Sequence, residues 1–108
     1  MECRKCELPF HKITMPPRHV HVDTLDSCDP SLYLKWKEPL VDYICPVDIT
    51  NYKIFCNSTT DSVSKVVPHS VLTTEMSVMA GEKYLCNVES ISHNGESRKV
   101  FTRPVTYR

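Results

Sequence analysis

The chain has 108 residues, enough for one domain with a single modest core and too few for two. Lys plus Arg and Asp plus Glu are both 13, so the formal charge is zero and no strong field draws the chain to nucleic acid or an anionic membrane. Charged residues at 24% and apolar ones at 41% exclude wholesale disorder, and no stretch approaches the ~20 apolar residues of a membrane-spanning helix.

Residues 1–15 carry Cys3-Arg4-Lys5-Cys6, mixed charges and His11, with no sustained period and no apolar run of the kind a signal peptide has. Pro16-Pro17 stops any helix and opens an extended segment, which places a boundary there. The expected division is a linker or the end of a preceding domain over 1–15, a domain over 16–104 and a C-terminal linker over 105–108. His19-Val20-His21-Val22 alternates, which turns Val20 and Val22 inward and both His outward, with Leu25 completing a first strand. A turn over Asp26 to Pro30 leads to Ser31–Lys37, where Leu32, Leu34 and Trp36 share one face. Trp36 is the only Trp, and as the largest apolar side chain it marks the centre of the core. Pro39 ends this strand because it brings no N–H to a ladder.

Leu40 to Asp48 reads as a loop holding Cys45-Pro46, followed by a third strand with Tyr52, Ile54 and Cys56 on one face. Asn57 to Ser62 is a polar turn, and Val63 to Val67 is a short edge strand closed by Pro68. Val71 to Met79 supplies another strand whose register the pattern leaves open, and Gly81 turns the chain. Tyr84, Cys86 and Val88 then alternate inward against Leu85, Asn87 and Glu89 outward. Asn94-Gly95 is a hairpin signal, and Val100 and Phe101 fall in the last strand. Seven short strands without a helical period predict an all-β, two-sheet antiparallel sandwich.

Six cysteines in so short a chain imply disulfides in an oxidising compartment or a metal site in a reducing one. Asn57-Ser58-Thr59 is an N-glycosylation acceptor, which belongs on the surface of a secreted protein. Together they favour an extracellular or cell-surface setting, with the chain a piece of an ectodomain and Met1 added for expression.

Over Pro17 to Thr102 the chain resembles the fibronectin type III family. The resemblance rests on Pro17 before the first strand, Trp36 in the second, Tyr52 in the third, Tyr84 opening the sixth, and Asn94-Gly95-Glu96-Ser97 between the sixth and seventh. It implies a seven-stranded antiparallel sandwich of immunoglobulin-like topology. The family usually has Leu-x-Pro-Gly ahead of the sixth-strand Tyr, where this chain has Val78-Met79-Ala80-Gly81, which puts the geometry of that turn in question. An immunoglobulin domain is the rival, since Tyr84-Leu85-Cys86 also looks like that family's tyrosine corner and second Cys. Cys28 and Trp36 would then have to be its first Cys and its Trp, yet they stand at the two ends of one strand. Leu34 to Lys37, Tyr52 to Cys56 and Tyr84 to Cys86 are similar to patterns in the Cys-rich ectodomain modules of leukocyte receptor tyrosine phosphatases, and cytokine receptors use Cys-bearing relatives of the fold.

Because the third and sixth strands are antiparallel neighbours in that fold, the resemblance implies a Cys56–Cys86 disulfide, against the alternative of two free buried thiols. Cys45 could reach Cys3 or Cys6 at one end of the sandwich, and Cys28 is left open. Cys3-x-x-Cys6 with His11 could also begin a zinc or redox site, but no second such pair follows, so the reading is a stapled linker. His19 and His21, two apart on one face, could hold a metal or sense pH, against the plainer reading of a solvated edge. No G-x-S-x-G, no assembled triad and no Gly-rich phosphate loop exists, so neither catalysis nor a cofactor nor a metal is expected.

Loops at the ends of a sandwich are its usual recognition surfaces. The Ser92 to Arg98 hairpin, with His93, Asn94, Glu96 and Arg98, and the Leu40 to Val47 loop, with Tyr43 and Ile44, are expected at one end. Tyr43 and Arg98 are the preferred contacts, since Tyr and Arg are enriched at interface hot spots. The expected function is a non-catalytic extracellular module of a receptor or adhesion protein, glycosylated at Asn57. It binds a protein ligand or spaces neighbouring domains, without nucleic acid and without inserting into a membrane. The alternatives are a cytokine-receptor-like ligand-binding domain and an intracellular zinc-binding domain.

Overall fold

Period-two alternation of β-branched, aromatic and aliphatic residues with polar ones gives each strand one apolar face, and two sheets close those faces on each other. A computed structural model describes residues 13–24, 30–41 and 47–107. Among these the strands are β1 (Arg18–Thr24), β2 (Ser31–Lys37), β3 (Ile49–Asn57), β4 (Ser62–Pro68), β5 (Thr73–Ser77), β6 (Lys83–Ser92), β7 (Gly95–Glu96), β8 (Val100–Phe101) and β9 (Val105–Thr106). The smaller sheet has the order β1-β2-β5, and the larger runs β4-β3-β6-β7 with β8 and β9 also paired to β6. All these pairs are antiparallel. The expected seventh strand is therefore present as three short pieces along β6. One interruption has a local cause: the Ser90 N–H donates to Ser97 Oγ at 2.9 Å, a side chain standing in for a ladder carbonyl.

The core collects the predicted faces: Leu32, Leu34 and Trp36 from β2, Tyr52, Ile54 and Cys56 from β3, Tyr84, Cys86 and Val88 from β6. Trp36 meets Tyr52 edge to face, with centroids 5.5 Å apart at 63°. Its buried indole N–H finds no acceptor among the described residues, so packing alone holds it. The open register of the fifth strand resolves into Thr74, Met76 and Val78 facing in, and the Val78 N–H reaches the Pro30 carbonyl at 3.1 Å.

Four features differ from the pattern. His19 has φ of 52° beside a register shift between Arg18 and His21, so β1 carries a bulge that simple alternation does not encode. At the hairpin, Ser92 faces Gly95, which makes His93 and Asn94 the turn residues; positive φ falls on Gly95 at 123° and on neither turn residue. Asn87 and Glu89 do face away from the core, but both are buried. Contacts also continue past both ends of the 16–104 span: buried Thr14 shares a 2.6 Å hydrogen bond with Ser92, and Val105 and Thr106 pair with Tyr84 and Lys83. Leu25 lies outside the described residues.

Candidate functional site

Every strand terminus at one end of the sandwich is fixed by pairing, and together they gather residues 13–17, 38–41, 47–48, 69–72 and the 93–94 turn. Ile49 lies across from Ser92, the His69 N–H donates to the Thr50 carbonyl at 3.1 Å, and the Trp36 N–H donates to the Leu72 carbonyl at 3.0 Å. The hairpin is anchored at its base: Ser92 Oγ accepts the Asn94 N–H at 3.0 Å, and Thr14 Oγ1 also donates to the Gly95 carbonyl at 3.3 Å. This short polar cluster sets the turn's position on the sandwich. His93, Asn94, Glu96 and Arg98 are all exposed on it, Glu96 also reaching back to Glu89.

At the same end opens a groove of about 620 Å³ whose lining includes Ile13, Met15, Leu40, Val41, Tyr52 and His69. Ile13, Leu40 and Val41 are each about 60% exposed, which gathers bare aliphatic surface at one place. Burial, foremost, and the charge of Glu38 hold the Tyr52 phenol above its ordinary value. None of the four hairpin residues lines the groove. Tyr43 and Ile44, with Cys3, Cys6, Cys28, Cys45 and His11, lie outside the described residues.

Cys56 and Cys86 are register partners on β3 and β6 and are joined by a disulfide, both fully buried. At the same end of β6, the Tyr84 hydroxyl donates to Asp61 at 2.7 Å and accepts the Met79 N–H at 3.0 Å. That bond closes the turn around Gly81, φ 85°, where the sequence departs from the family pattern. Burial, foremost, and the hydrogen bond to Asp61 hold the Tyr84 phenol above its ordinary value. Asn57 is exposed at the end of β3.

His21 and Asp23 form an exposed pair at 3.0 Å, and His19 stands on the same rim. Among the described residues no three His, Cys, Asp or Glu side chains are placed to share a metal ion. Alternation did not single out Glu89. Its carboxyl is pushed upward first by burial and then by Glu96, which repels its charge and hydrogen-bonds its protonated form; Lys99 and Lys53 pull it back. A carboxyl on an outward face, opposite Lys53 in the ladder, gives no sequence signal of that burial.

No protein-family model matches the chain, and no curated protein matches it in sequence. Solved structures match it in fold. A segment of titin aligns at 23% identity and a TM-score of 0.69 over 87% of this chain, which spans 32% of that segment. An FN3 domain of human collagen XX aligns at 20% identity and TM-score 0.65, covering 87% of this chain and 93% of that one. The FN5 domain of Drosophila Lar aligns at 18% identity and TM-score 0.67, covering 88% and 97%. The described chain is thus a fibronectin type III-like sandwich, and at these identities the likeness is one of fold.

Proposed function

We propose that the chain is an extracellular module of a receptor or adhesion protein, and that its loop end is a protein-binding surface. The observation that carries the binding half is the groove, where aliphatic side chains from two separated segments, Ile13 and Met15 with Leu40 and Val41, stand open to solvent beside an anchored polar hairpin. An apolar centre with a polar rim is the make-up of a recognition surface. The extracellular half is supported by the Cys56–Cys86 disulfide, which runs against a reduced, zinc-holding domain, and by the acceptor tripeptide at Asn57. The occupant is a protein ligand or a neighbouring domain of the same receptor. Fold neighbours that sit in multidomain chains keep the second source as the alternative, in which the module spaces its neighbours and its end is a domain junction.

The test is secretion of the parent ectodomain with Leu40→Asp and Val41→Asp, with Arg98→Ala on the same end, and with Tyr43→Ala as a separate variant. Loss of partner binding by tenfold or more, with an unchanged melting temperature, is the expected result. Unchanged binding together with a shift in inter-domain angle by small-angle scattering would assign the end to a domain junction. Unchanged binding and unchanged scattering would remove the loop end as an interface. A thiol count with and without reductant, with a zinc assay, checks the compartment.

A further inference from the structure

On β3 the residues that alternate with core Tyr52, Ile54 and Cys56 are Lys53, Phe55 and Asn57, all on the outer face of the larger sheet. Phe55 is two positions before Asn57, about 7 Å along the strand. Directly across the ladder, Asn57 faces Leu85 and Phe55 faces Asn87; Asn87 in turn faces Phe101 on β8. Leu85, 40% exposed across the ladder, and partly exposed Phe55 along the strand therefore flank the acceptor Asn on two sides, while Phe101, 56% exposed, stands two strands over from Phe55. Asn87, between the two Phe in the ladder, is only 5% exposed. Asn57 itself is exposed, and among the described residues none hydrogen-bonds its carboxamide.

A β-linked N-acetylglucosamine carries its axial C–H groups on one face, a weakly polar surface that packs well against an aromatic ring. Attachment joins Asn57 Nδ2 to the sugar's C1, the nitrogen losing one proton and a polyprenyl diphosphate leaving from C1. Tethered there, the sugar meets the patch at high effective concentration. We infer that the first N-acetylglucosamine of an Asn57 glycan packs its C–H face on the Phe55 ring, beside Leu85, and so covers the outer face of the larger sheet. This rests on the extracellular reading above. It assigns a use to partly exposed Phe55 and exposed Leu85 that neither the core nor the loop end provides.

The experiment uses protein secreted from glycosylating cells, its occupancy read by intact mass and its glycan trimmed enzymatically to one N-acetylglucosamine. The same chain made without the sugar is the reference. The single sugar is expected to raise the melting temperature by about 4 °C, the shift that about 1 kcal/mol gives a domain of this size. In Phe55→Thr, which keeps a strand-forming residue, the rise is expected to vanish. Should Phe55→Thr fail to fold, sugar protons of the unmutated protein report instead, with upfield ring-current shifts expected by NMR. An equal rise with and without Phe55, or unshifted sugar protons, overturns the packing while leaving the extracellular reading intact. Folded, secreted protein bearing no glycan at Asn57 overturns the packing and removes the acceptor tripeptide from the support for the extracellular reading, which then stands or falls on the thiol count.

Discussion

Removing the Cys56–Cys86 cross-link by Cys56→Ala/Cys86→Ala tests the framework directly. The bond closes a loop of sequence separation 30, and chain-entropy reasoning assigns such a closure about 3.5 kcal/mol at room temperature. Both side chains are fully buried between β3, β6 and the facing sheet, so lost packing adds to that figure. Against the 5 to 15 kcal/mol typical of a single domain, at least about a quarter of the stability would go, and up to about two-thirds. Urea unfolding of the variant and the parent under oxidising conditions measures it. The midpoint is expected to fall, and the slope to rise, because an unlinked denatured chain expands and exposes more surface. A loss below about 1 kcal/mol with an unchanged slope would refute the reasoning, since a formed cross-link of this span must constrain the unfolded chain.

Trp36→Ala is expected to cost about 3 to 5 kcal/mol, because the ring is 3% exposed and packs on Tyr52; urea unfolding showing a near-neutral change would displace it from the core. Tyr84→Phe removes the hydroxyl between Asp61 and the Met79 N–H and is expected to cost about 1 to 2 kcal/mol, with amide exchange rising at Met79; unchanged exchange there would count against the turn-closing role. Glu89 holds its proton more tightly folded than unfolded, so its contribution to stability is complete below the unfolded carboxyl's range and is lost as pH rises through the raised value. Glu89→Gln is therefore expected to stabilise the protein at neutral pH and flatten the fall in urea midpoint between acid and neutral pH, and a variant whose profile parallels the parent's would contradict it.

Strand faces were legible because the signal is local: Leu32-x-Leu34-x-Trp36 and Tyr84-x-Cys86-x-Val88 repeat with the period of the pleat, and the structure buries both sets. Burial on the outward face was not legible. Glu89 is buried beside Glu96 of β7, which hydrogen-bonds it, and within reach of the charges of Lys99 and Lys53, and no alternation in β6 reports what its neighbours carry. The hairpin was legible as a hairpin but not in its turn residues, since Gly95 satisfies the need for positive φ just beyond the turn. The groove was hidden for a third reason. Its walls come from residues 13–15, 38–41, 47–52 and 69, and the first of these falls in a stretch whose composition reads as linker.

Trp36 marks the core, yet β6 decides how the loop end is held. This strand alone pairs with four others, β3, β7, β8 and β9. Near its start are Tyr84, tied to Asp61 and Met79, and Cys86, tied covalently to β3; at its far end Ser92 receives Thr14 and the hairpin base. The turn bearing His93 and Asn94 therefore extends a clamped central strand and is held at its own base as well. A loop so held loses little conformational freedom when a partner docks, which lowers the entropic cost of binding. Thr14→Ala separates this from a purely structural contact: it removes the outer tie and leaves β6 and its disulfide in place. Faster amide exchange confined to residues 92–96, with weaker partner binding and an unchanged exchange rate in β3, is the expected pattern. Loosening spread evenly through the larger sheet would show that Thr14 supports the sandwich and does not hold the hairpin ready.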